Sequence, residues 1–124
     1  MNLESRNFQR KNGHPGGDSI SNSRNFLEAV LQQAANAFNR NKYAADLPIS
    51  TYEKPFAVRD YLEREHLIET KEKEAIAKVY GLLSDTGSHP NIAEKDEARL
   101  MWHLALTFSQ FVLLRYQGFL ANNP

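Results

Sequence analysis

The sequence predicts an all-α protein: a four-helix up-down bundle behind a flexible N-terminal tail. Three observations predict it. Apolar residues recur at three- and four-residue spacing in four successive stretches, and no stretch alternates as a strand does. The stretches are joined by short polar connections, which favour antiparallel packing of sequential helices. The chain has 124 residues, 41% of them hydrophobic, enough for one domain around one modest core.

Residues 1–22 read as the tail and residues 23–120 as the bundle. The tail holds the breaker cluster Asn12-Gly13-His14-Pro15-Gly16-Gly17 and only isolated large apolar residues, Leu3, Phe8 and Ile20. Such a stretch buries too little to offset its ordering entropy. The first helix is expected from about Arg24 to Asn39, with Ser23 as N-cap and Leu27, Val30, Leu31, Ala34 and Phe38 on one side. Asn39 to Lys42 reads as its polar stop, and residues 43–54 as a loop. Pro55 suits the first turn of a second helix, where no N–H is needed, running to about His66 with Val58, Tyr61 and Leu62 inward. Leu67 and Ile68 close the next turn. Thr70 is the candidate cap of a third helix with Ile76, Val79, Tyr80 and Leu83 inward, and the helix is expected to end in the cap- and turn-rich run from Ser84 to Asn91.

The fourth helix, about Ala93 to Gly118, is apolar on more than one side from Leu100 onward. A helix with apolar residues all round needs burial all round, which three short partners hardly provide. The expected partner is therefore a second copy, a homodimer through this helix, or an upstream domain.

Composition excludes several classes. With 15 Lys+Arg against 15 Asp+Glu the chain has no net charge, which disfavours a generic polyanion binder. No apolar run is long enough to span a membrane, and no apolar stretch near the N-terminus resembles a secretory signal. The absence of cysteine excludes disulfides and thiolate zinc sites and fits a cytoplasmic protein. No cofactor is expected, and no metal site: there is neither a His-Glu-x-x-His nor a Cys pair, and His89, Glu94, Asp96 and His103 lack a recognisable ligand spacing.

Two groups of residues carry candidate chemistry. The turn after the third helix gathers Ser84, Asp85, Gly87, Ser88 and His89. An imidazole there titrates near neutrality, and Asp85 stands four residues before it. The plainer reading is that these residues cap helix ends. On the fourth helix, Asp96, Arg99 and His103 fall on one side. Arg99 would hold a phosphodiester and His103 would move a proton; the plainer reading is an Asp96–Arg99 surface pair beside a half-buried ring.

The block Lys78-Val79-Tyr80-Gly81-Leu82-Leu83-Ser84-Asp85-Thr86-Gly87-Ser88-His89-Pro90, with Glu97-Ala98-Arg99-Leu100 and Leu113-Leu114-Arg115, resembles the C-terminal helical module of bacterial abortive-infection-type and other uncharacterised defence proteins, which are similar to the HEPN superfamily. The resemblance implies a helical bundle, frequent dimerisation and, in many members, metal-independent RNA cleavage. The catalytic signature it implies pairs an Arg with a following His on or near the final long helix. Only Leu100, Met101 and Trp102 stand between Arg99 and His103, a departure from that signature. The expected function is a HEPN-like interaction or regulatory module of a prokaryotic defence or stress system, dimeric, with RNA as a candidate ligand. The alternatives are a metal-independent endoribonuclease using His89, Arg99, His103 and Asp85, and a plain oligomerisation domain of a larger protein.

Overall fold

The computed structural model describes the backbone of residues 15–87 and 95–122, and the side chains of residues 22–83 and 95–122. Every element among the described residues is a helix: α1 (Pro15–Tyr43), α2 (Ile49–Tyr52), α3 (Pro55–Arg64), α4 (Thr70–Gly87) and α5 (Lys95–Asn122).

α1 is longer than expected at both ends. It starts at Pro15, so residues 15–22 are helical rather than tail; residues 1–14 lie outside the described residues. A proline at the first helical position loses no bond, and each residue added to a nucleated helix gains one. Ser23 is therefore not a cap but a buried residue well inside the helix. Leu27, Leu31, Ala34, Ala35 and Phe38 form its buried stripe.

Asn39 does not stop the helix. It is buried, accepts from the Tyr61 hydroxyl at 2.7 Å and donates to the carbonyl of Ala45 at 2.7 Å. One turn back, Asn36 Oδ1 accepts from the Leu47 N–H at 2.8 Å, and one turn further back Gln32 Nε2 donates to the Tyr52 carbonyl at 2.9 Å. Gln32, Asn36 and Asn39 fall on one helix face. They tie the chain between Tyr43 and Pro55 down the side of α1 as a return strap, with α2 inside it.

The strap overturns the expected up-down order. Because the chain has returned before α3 begins, α3 runs alongside α1 in the same direction. Pro55 and Val58 sit beside Glu28 and Leu31, while Lys42 and Tyr43 at the end of α1 bond Glu65 just past the end of α3. α4 runs the other way: Thr70 and Lys73 bond Glu63, and further along Tyr80 donates to Glu28 at 3.0 Å beneath the Arg59 guanidinium. α5 again follows α1, with Trp102 against Phe26 and Phe119 against Phe38 at 4.4 Å between ring centroids. The hub is α1, which packs on α3, α4 and α5; α5 lies mainly along α1 and touches α4 lightly.

Two helix ends use left-handed residues other than glycine. Ala44 (φ 59°) follows α1, and its N–H bonds the Arg40 carbonyl at 2.9 Å. His66 (φ 65°) follows α3, with its N–H on the Glu63 carbonyl and the Leu67 N–H on the Leu62 carbonyl at 2.9 Å. That is a Schellman closure, and Leu62 and Leu67 at its two ends are both buried. At the start of α4 the cap is Glu69 rather than Thr70. The Glu69 N–H donates to Glu72 Oε1 at 2.7 Å and its carbonyl accepts from Lys73, while the Thr70 hydroxyl goes to Glu63. α4 then continues through Ser84, Asp85 and Thr86 to Gly87, past the expected end.

Candidate interaction face

α5 has three faces with different chemistry. Ala98, Met101, Ala105, Ser109 and Val112 are buried, and most are small. Small residues let two long helices lie close, so α5 packs against α1 through its least bulky side. Phe108 and Phe119 fill in beside them as partly buried residues against the core. The Ser109 hydroxyl is buried on this face without a hydrogen-bond partner among the described residues.

Packing through small residues leaves large ones outside. Leu100 is 53% exposed and Leu114 65% exposed, and Leu104 and Phe111 are half-buried between them. With Thr107 and Gly118 they form a continuous seam, Leu100, Leu104, Thr107, Phe111, Leu114 and Gly118, spaced alternately four and three residues apart. That is the spacing of a helix seam that packs on another helix. The expectation of a second apolar surface on this helix therefore meets real exposed apolar side chains. Trp102, 40% exposed, and Leu113, 41% exposed, lie on the other flank.

The third face is polar and carries the sequence-derived site residues. Asp96, Arg99 and His103 are all exposed on the outer side of α5. His103 is thus not the half-buried ring expected for it. Asp96 and Arg99 are not joined in any of the ion pairs formed among the described residues. Ser84, Asp85 and Gly87 belong by their backbone to the last turn of α4; the side chains of Ser84 and Asp85, and all of Ser88, His89 and Glu94, lie outside the described residues. Among the described residues no three His, Asp or Glu side chains gather closely enough to hold a metal ion. No helix among them is long and apolar enough to cross a membrane.

Two clefts open at the other end of α5. One, of about 410 Å³, lies between Phe38, Glu65, His66, Leu114, Arg115 and Phe119. Another, of about 310 Å³, lies between Glu63, His66, Ile68, Thr70 and Arg115. Arg115 separates them, with Nε donating to the Leu67 carbonyl at 3.0 Å and Nη2 to the His66 carbonyl at 3.3 Å. The guanidinium thus closes the end of α3 as well as lining the clefts. Burial pushes the Glu65 carboxyl up, but hydrogen bonds from Lys42 and Tyr43 outweigh it and hold the group below the usual carboxylate range. About 18 Å of helix rise separates His103 from Arg115, so the clefts and the polar row are separate places on α5.

No family model, curated protein or solved structure matches this chain. The geometry of α5 therefore stands alone as the guide to function. Sequence reasoning gave a role to Arg99 and His103, quoted Arg115 only within the run Leu113-Leu114-Arg115, and gave His66 no role beyond a helix end. The signal for Arg115 was its place as a lone charge among Leu113, Leu114 and Tyr116 on an apolar helix.

Proposed function

We propose that this chain is a helical interaction module that binds another helix along the seam of α5. The observation that carries it is the exposure of Leu100 and Leu114 along a seam with coiled-coil spacing. A face of this kind is recognised by the apolar side of a partner helix, with side chains interleaving. The absence of cysteine suits a reducing compartment, and the reading includes a cytoplasmic setting. The resemblance to HEPN-like modules of defence systems agrees with an interaction role, although no matching family supports it.

The test is the double variant Leu100→Glu, Leu114→Glu at high dilution. An open seam contributes little to the fold, so unfolding free energy should change by no more than about 0.5 kcal/mol, the ordinary range for surface positions. A loss of several kcal/mol would show that the chain covers this seam itself, and would end the proposal. The ribonuclease reading makes a different demand. Cleavage of single-stranded RNA in EDTA, abolished by Arg99→Ala and by His103→Ala, would replace the interaction module with an enzyme.

A further inference from the structure

The partner that the seam fits best is a second copy of the same chain, lying antiparallel. We infer that two molecules associate through α5 about a two-fold axis that crosses the helix at the level of Ser109. This rests on the interaction reading above and names its occupant.

Along Leu100, Leu104, Thr107, Phe111, Leu114 and Gly118 the steps are four, three, four, three and four residues, the same from either end. A seam with such steps lies in register on a reversed copy of itself. A two-fold interface requires this, because the same patch must meet itself. In that register Leu100 faces Gly118 of the second copy, Leu104 faces Leu114, and Thr107 faces Phe111. Two of the three layers set a large side chain opposite a small one, which interleaved packing favours. At Gly118 there is open space where a Cβ would stand, so a facing Leu100 has room to enter.

Side-chain size favours the antiparallel arrangement over the parallel one, which would set Gly118 level with Gly118 and Phe111 level with Phe111. Glu97 and Arg115 lie on the same edge of the seam at opposite ends. In the antiparallel pair this edge meets itself, with Arg115 about 9 Å of helix rise from Glu97 of the second copy. The opposite edge meets itself near Gln110, an uncharged amide that accepts a close neighbour. The helix dipoles also oppose in this arrangement, with each positive end beside a negative one.

The test uses the full chain, which has no native cysteine to interfere. Light scattering at about 100 μM, in the range where modest interfaces associate, should give twice 14.2 kDa, and Leu114→Glu should return the mass to 14.2 kDa. Leu100→Cys and Gly118→Cys, mixed and treated with a short bismaleimide, should link to each other. Leu100→Cys alone should not link to itself, because the two Leu100 positions stand about 27 Å apart along the helices. Self-linking of Leu100→Cys would show a parallel pair and overturn the proposal. A monomer at this concentration overturns it too, and the stability of the Leu100→Glu, Leu114→Glu variant then separates the two readings. A stable variant leaves the interaction module standing with a different partner, and an unfolded one removes both.

Discussion

Ala44 and His66 hold the left-handed conformation without being glycine. A Cβ there crowds the backbone at a cost of roughly 1 kcal/mol, which glycine does not incur. Ala44→Gly should therefore raise the unfolding free energy by about 0.5–1 kcal/mol in urea titration, although glycine lowers stability in most other positions. Ser109→Ala should also stabilise, by about 1 kcal/mol, since it removes a buried hydroxyl that has no partner among the described residues. Tyr61→Phe should act the other way. It leaves Asn39 Oδ1 buried without its donor, at a cost of about 1–3 kcal/mol. Burial raises the Tyr61 pKa, so this bond persists through the ordinary alkaline range. The carboxylates set the acid limit. Glu63 is held low by hydrogen bonds from Thr70 and Lys73, and Glu65 is held low against its own burial by Lys42 and Tyr43. A lowered native pKa contributes stability above the ordinary Glu value of about 4.3, and that stability is lost as pH falls through the native value. The urea midpoint should fall below about pH 5, and less steeply in Glu63→Gln, Glu65→Gln.

At the scale of elements, the inward residues were legible and several boundaries were not. Val58, Tyr61 and Leu62 in α3, and Ile76, Val79 and Leu83 in α4, are buried as their spacing requires. Periodicity reports a buried face directly, because only one side of a helix meets the core. Helix ends depend on local closures, and here these use Ala44, His66 and Glu69 instead of the residues usual at such places. The ends of α1 and the cap of α4 were therefore hidden. The strap was hidden for a related reason. Amides at Gln32, Asn36 and Asn39 read as ordinary wet-face residues or as a stop until their backbone partners are known. Phe38 shows how strongly the elements depend on α1, since its ring meets Tyr61 of α3 and Phe119 of α5. Phe38→Ala should cost about 3–5 kcal/mol by denaturant unfolding.

For the whole molecule, helical class followed from the apolar spacing, while the order of directions did not. Short connections suggested strict alternation, yet α1, α3 and α5 share a direction because the strap, with its four-residue α2, makes one of the returns. The candidate site divided in the same way. Arg99 and His103 share a face, as helical spacing dictates, and the apolar excess of α5 is exposed at Leu100 and Leu114. Which flank stays open depends on α5 lying along α1 rather than α4, a tertiary choice that no local pattern encodes.

Surface connections generally tolerate added residues, because their ends float in solvent. The segment from Ala45 to Tyr52 is pegged to α1 at three heights, so it behaves as a ruler cut to length. One glycine inserted between Leu47 and Tyr52 has no slack to occupy. It would unseat a peg or push Pro55 out of step with Glu28, and this stretch should resist lengthening more than its exposed position suggests.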